Sequence, residues 1–249
     1  MRFWLVVLIF ISSLSLQHSV AEELSDDARQ IIEQVEKLYR GDASRATLTM
    51  TVMTPRNERR LRMSAESLGQ DYALYRILAP KKEEGIATLK REKEMWNYFP
   101  KINKIIKVPP SMMMGSWMGS DVTNDDLLRE TELVDAYDLS LETTEDQYRI
   151  TLLPKEDTVT VWGRIDYIVD RHSMLPVEQL FFDERGRKIR RMEFSEVKEF
   201  EGKRLPSVLK VMPLNKEGHE TVVEYESLDF DAPDVTKDLF TRRNLTSRF

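Results

Sequence analysis

The 249-residue sequence contains no cysteine. That excludes disulfides, thiol catalysis, cysteine-ligated zinc or iron–sulfur centres, and a lipid anchor attached through a thiol. Histidine is scarce as well, confined to His18, His172 and His219. The nine glycines form neither a P-loop nor a dinucleotide fingerprint, and no H-E-x-x-H run occurs. Bases are outnumbered, 37 Lys and Arg against 43 Asp and Glu, so the overall electrostatic footprint of a nucleic-acid binder is missing. No segment approaches the ~20 apolar residues needed to span a bilayer.

What is present begins with a leader. Met1-Arg2, the apolar run Phe3 to Ile11 and the small residues Ser19 and Ala21 have the pattern of a secretory signal peptide. The expected cleavage follows Ala21, leaving residues 22–249 as a single mature domain that keeps only His172 and His219. From Ser25 to Tyr39, the residues Ala28, Ile31, Ile32, Val35, Leu38 and Tyr39 recur at helical spacing. Ser25 can cap this helix and Gly41 follows its end. The period then becomes two. Ala46, Leu48, Met50 and Val52 alternate with polar residues, as do Leu61, Met63 and Ala65, and residues 70–79 read as a third strand.

Further strand-like runs lie near 136–143, 147–153, 161–169, 175–182, 188–197, 205–212 and 220–230. Turns are expected at Asp183–Gly186, Glu201-Gly202 and Lys216–Gly218. Pro233-Asp234 can open a last helical turn through Phe240. Roughly ten antiparallel strands with one long helix predict a mainly β, α+β chain built as a large curved sheet or open barrel. The basic runs at 59–62 and 185–191 read as solvated strand faces guarding sheet edges, with docking on anionic lipid headgroups as the alternative.

The segment from Pro100 to Arg129 breaks this pattern. Met112, Met113, Met114 and Met118 crowd around Trp117, with Gly115 and Gly119 as possible hinges. Clustered methionine suits either a gap-filled core or a surface that adapts to varied apolar partners. Asp121, Thr123, Asp125 and Asp126 resemble a calcium loop, but the sixth position holds Asp126 instead of glycine. Thr123 as a helix cap, with Asp126 as its reciprocal partner, accounts for them more simply. No catalytic residue, metal ligand or cofactor is expected. In Gly115-Ser116-Trp117-Met118-Gly119 the serine sits one place early for a nucleophile elbow.

The run Met95-Trp96-Asn97-Tyr98-Phe99-Pro100, with Lys104-Ile105, Pro110-Ser111, Ser116 to Asp121 and Asp125-Asp126-Leu127, resembles the outer-membrane lipoprotein-sorting (LolA-like) proteins. The resemblance is strongest to the branch associated with RND/MMPL-type exporters. It extends through the hairpins at Gly186 and Gly202 to Asp238-Leu239-Phe240-Thr241, over nearly the whole mature chain. It implies an incomplete antiparallel barrel around a helix, enclosing an apolar cavity for acyl chains. It further implies a periplasmic, monomeric carrier of a lipid or lipoprotein between the inner and outer membranes. Such a carrier would touch membranes transiently and would have an inner-membrane RND/MMPL-type exporter as partner. On that reading Trp96, Tyr98, Met112, Met113, Met114, Trp117 and Met118 line or gate the mouth, with Gly115 and Gly119 as hinges. A lipid-sensing regulator of envelope stress is the rival reading, and an envelope hydrolase a weaker one.

Overall fold

Alternating hydropathy becomes one continuous sheet. The computed structural model describes residues 27–39, 41–129 and 133–247, so the expected leader and its cleavage point lie outside the described residues. Thirteen strands are formed: β1 (Ala43–Thr54), β2 (Asn57–Leu68), β3 (Tyr72–Ala79), β4 (Ala87–Arg91), β5 (Glu94–Phe99), β6 (Lys104–Lys107), β7 (Tyr137–Thr143), β8 (Gln147–Pro154), β9 (Arg164–Asp170), β10 (Pro176–Phe182), β11 (Lys188–Phe200), β12 (Lys203–Pro213) and β13 (Glu220–Asp229). Their spatial order is β6-β5-β4-β3-β2-β1-β13-β12-β11-β10-β9-β8-β7, antiparallel throughout. Two meanders, β1–β6 and β7–β13, therefore meet side by side at the β1–β13 ladder, and β6 and β7 are the free edges. The sheet is curved and unclosed, as expected, but has three more strands than the alternation revealed.

Helices cover the sheet rather than extend it. The first, α1, occupies residues 27–36. Its stripe Ala28, Ile31, Ile32 and Val35 is buried against Ile150, Leu152, Ile165, Tyr167, Val169 and Phe181, inward-facing residues of β8, β9 and β10. Arg29 fastens the helix by donating to the Val134 carbonyl at 3.0 Å. The chain leaves α1 past Gly41, where a Cβ would sit 2.2 Å from the Phe230 carbonyl oxygen, so only glycine fits this crossing. Two short helices, α2 (Asn124–Arg129) and α3 (Leu133–Ala136), connect the meanders. After β13, a 3-10 turn at Lys237–Leu239 and helix α4 (Arg242–Leu245) follow in place of one helical turn through Phe240.

The first meander is covered on both faces. On β3–β5 the inner side packs Ile77 and Met95 with Met63, Leu127 and Trp117. The outer side packs Tyr72, Leu74, Leu89, Trp96 and Tyr98 under Val235, Phe240 and Leu245. Arg76, buried on that outer side, donates to the carbonyls of Leu245 and Asn244 at 3.0 and 2.9 Å and so holds the end of α4. The two basic runs do not guard edges. They lie on β2 and on β11 with the turn before it, both interior strands of the sheet, and Arg190 is buried.

Candidate functional site

The period-two pattern sends one residue of each pair to the concave face, and where α1 crosses that face the packing leaves a gap. The result is a cavity of about 200 Å³. Its walls come from Val35 on α1 and Tyr39 after it, Leu48 on β1, Tyr75 on β3, Ile165 and Tyr167 on β9, Phe181 on β10, Phe194 on β11, Leu209 on β12, and Val223 and Tyr225 on β13. Trp117, Val122 and Leu127 close it from the connecting segment. Tyr39 stacks on Tyr225 at 5.2 Å and donates its hydroxyl proton to the Pro206 carbonyl at 2.9 Å, which pins the chain after α1 to the wall. Tyr137 likewise points its hydroxyl out of the apolar space, 3.2 Å from Thr160 Oγ1. Most of the lining is thus aromatic and aliphatic, a surface that suits an apolar ligand.

Glu36, Asp125, Asp126 and Gln179 are the polar members of the lining, and Asp126 belongs to a buried ion pair. Arg190 Nη1 and Nη2 donate to Asp126 Oδ2 and Oδ1 at 2.6 and 2.8 Å. The guanidinium lies 4.0 Å from the Phe181 ring centre and 4.8 Å from that of Trp162, an aromatic slot that suits a delocalised cation. Asp126 also belongs to the expected cap: Thr123 N–H donates to Asp126 Oδ2 at 2.7 Å and Asp126 N–H donates to Thr123 Oγ1 at 3.1 Å. Burial by itself would push this carboxyl up. The charge of Arg190, its hydrogen bonds and those from Thr123 outweigh it, so the Asp126 carboxyl sits below its ordinary value. A carboxyl depressed in the folded state adds stability above its unfolded value, and that stability disappears as pH falls. Urea midpoints of the unmodified protein are therefore expected to fall steeply below pH ~3.9, the unfolded aspartate value. Those of Asp126→Asn should fall less, and parallel curves would show that this pair plays no part in acid sensitivity.

The residues singled out in the sequence separate in space. Trp117 lines the cavity and is buried, with Nε1 donating to Thr88 Oγ1 at 3.0 Å and its ring edge-on to Tyr75 at 5.2 Å. Met113 and Met118 are partly buried against the same inner cluster. Met114 is half-buried and Met112 is 59% exposed. Trp96 and Tyr98 do not line the cavity. On β5 the alternation turns them to the outer face, under Phe240 and Leu245, while Met95 takes the inner side.

The loop holding the methionines is closely bonded. Gly115 N–H donates to Met112 O at 2.9 Å and Gly115 O accepts from the Asn124 backbone at 3.0 Å and side chain at 3.1 Å. Trp117 N–H donates to Val122 O at 2.8 Å, and Arg59 donates to Met118 O at 2.9 Å. Gly119, at φ 75°, takes a left-handed turn that side chains resist. Both glycines thus have a static reason to be where they are. Neither histidine lines the cavity: His172 faces Asp146 on an exposed turn, and His219 lies 3.9 Å from Asp121 on the β12–β13 hairpin. Sequence reasoning missed the ion pair because Arg190 sits in a basic run that reads as solvated. It missed most of the aromatic lining because each residue is the inward member of an ordinary strand.

Residues 69–247 match a family model whose description reads "Uncharacterized protein". No curated protein matches the chain. Among solved structures, a domain from Vibrio parahaemolyticus assigned to outer membrane lipoprotein sorting superposes with a TM-score of 0.78 at 17% identity, covering 90% of this chain and 100% of that one. A DUF1329 family protein from Desulfovibrio piger gives 0.80 at 20% identity, over 89% and 99%. A LolA superfamily protein from Nitrosomonas europaea gives 0.70 at 20%, over 87% and 98%. The fold is therefore LolA-like.

Proposed function

The chain belongs to the family whose model spans residues 69–247, and from its LolA-like fold and its cavity we propose that it is a periplasmic binding protein for acyl chains. It shelters the apolar part of a lipid or lipoprotein between α1 and the sheet during passage between the inner and outer membranes. One observation carries this reading: the concave face holds an apolar, aromatic-rich cavity covered by a helix and a short connecting segment. On this reading the chain acts by binding rather than by bond chemistry: most of the cavity lining is aromatic or aliphatic, and the Asp126 carboxylate among it is paired with Arg190. An RND/MMPL-type inner-membrane exporter is the partner we assign, on the Trp117–Asp121 stretch that resembles that branch. Co-purification from detergent-solubilised envelopes tests this, and recovery of an anti-sigma factor in its place would favour lipid sensing.

The energetics suit a carrier. At about 0.8 kcal/mol per methylene, a chain of ~16 carbons gains roughly 13 kcal/mol gross on leaving water. Ordering and association costs of several kcal/mol bring this to micromolar binding, about −8 kcal/mol. The cavity of about 200 Å³ is smaller than the ~300–1,000 Å³ that encloses a drug-sized ligand. Uptake of a whole chain thus requires α1 and α2 to separate further from the sheet. Delipidated protein is expected to bind an apolar fluorescent probe with micromolar affinity, displaceable by fatty acid. Phe194→Glu, which puts a charge on a half-buried wall position, should weaken that binding at least tenfold while circular dichroism stays unchanged. Equal binding by the variant and the unmodified protein would remove the cavity as the site.

A further inference from the structure

The free edge of the first meander carries a second surface. Strand β6 is exposed at all four residues, and the segment around it presents Ile102, Ile105, Ile106 and Met112 at 58%, 37%, 47% and 59% exposure. Lys101, Lys104 and Lys107 are interleaved with them, and no acid occurs from Lys101 through Ser120. Arg242 and Arg243 of α4, brought from the far end of the sequence, complete an open cleft of about 510 Å³ whose floor is Trp96 and Ile105. Lys107 lies 5.8 Å over the Trp96 ring and pairs with Glu94, the acid fixed to this cleft. Register places the cleft outside: Lys107 faces Trp96 and Ile105 faces Tyr98 across the β5–β6 ladder, on the outer side of the sheet. The acyl cavity lies on the inner side.

Lysines on an edge strand blunt unwanted strand pairing, and that explains Lys104 and Lys107. It does not explain isoleucines exposed on both sides of the strand, or two arginines contributed by α4. Exposed isoleucines ringed by cations form the pattern that meets a bilayer interface, and five bases in a chain of net charge −6 select for anionic headgroups. We propose that the β6 edge and α4 together form a docking surface for an anionic phospholipid bilayer. The surface is independent of the cavity, so it stands even if the cavity carries something other than acyl chains.

Co-sedimentation of the purified protein with vesicles tests this. Binding is expected to vesicles of phosphatidylglycerol mixed with phosphatidylcholine, at least tenfold weaker to phosphatidylcholine alone, and weaker at 0.5 M salt, about five times the ionic strength at which the Debye length is ~10 Å. The triple variant Lys104→Glu/Arg242→Glu/Arg243→Glu should lose at least tenfold, and Ile105→Ser/Ile106→Ser a smaller factor that salt does not change. All these positions are exposed, and unchanged urea midpoints would show that the variants remain folded. Probe binding in the cavity should stay intact in both, whereas Phe194→Glu should leave vesicle binding intact. Equal binding by the charge-reversed protein, no preference for phosphatidylglycerol, or release by millimolar inorganic phosphate would each overturn the proposal. The last of these would mark a pocket for a soluble anion, and capture of an extended peptide without vesicle binding would mark a strand-pairing edge.

Discussion

Asp126→Ala is expected to lower the unfolding free energy by about 3–5 kcal/mol, the scale for leaving one member of a buried ion pair without its partner. Arg190 has 4% side-chain exposure, and its Nε finds no partner among the described residues. Both terminal nitrogens depend on Asp126. The rings of Phe181 and Trp162 attract the cation but accept no conventional hydrogen bond. The same substitution also removes the side-chain half of the cap that receives the Thr123 N–H. Replacing both members, Asp126→Leu with Arg190→Met, should recover most of the loss, because an apolar pair of similar volume needs no charge compensation. Urea titrations of the two singles and the double give the coupling directly. A single-mutant loss under about 1 kcal/mol would mean that water reaches the guanidinium and that the pair is a surface contact in energetic terms.

Trp117→Ala should cost about as much, ~3–5 kcal/mol, through the space left by a buried indole. The residue is 4% exposed, contacts Tyr75 edge-on and donates to Thr88 Oγ1, which itself lies 2.6 Å from Asn97 Oδ1. Trp117→Phe keeps most of the volume and loses the indole N–H, so about 1 kcal/mol is expected for it. Because the indole is also a cavity wall, truncation enlarges the space, and the folded fraction of Trp117→Ala should bind the apolar probe at least as well as the parent. A lid would give the reverse result, little change in stability and weakened binding. A loss below about 1 kcal/mol, the range of a locally unfolding segment, would return Trp117 to that role.

Much of the fold was legible because β7–β13 obey simple chemistry. Their inner residues pack on α1 or the cavity, their outer residues meet water, and Gly186, Gly202 and Gly218 all adopt positive φ in the turns. Strands β4 and β5 were not legible for the opposite reason. On β4, Ala87, Thr88, Leu89 and Lys90 are all buried. Leu89 lies under the C-terminal segment, while Lys90 reaches the Leu128 carbonyl at 2.9 Å and Thr88 meets Trp117. With both faces covered and the polar side chains satisfied inside, the alternation is no longer expressed in hydropathy. The same two-sided burial explains why Trp96 and Tyr98 looked like mouth residues: large aromatics beside a methionine-rich loop carry no sign of which face they serve. Apart from Trp117, Val122 and Leu127 of the connecting segment, the cavity had no local motif, since its walls are one or two inward residues from each of several strands in both meanders.

The β1–β13 ladder, from Arg45 opposite Asp229 to Met53 opposite Glu220, makes that cavity a joint. Leu48 and Tyr75 come from one meander and Ile165, Tyr167 and Phe181 from the other, while each meander is knitted internally by hairpins between consecutive strands. Beneath α1 and the connecting segment, the two walls are joined across a single seam, whose register shifts between Thr47 and Leu48. A change of twist at this seam would move one wall relative to the other while leaving the ladders within each half unchanged.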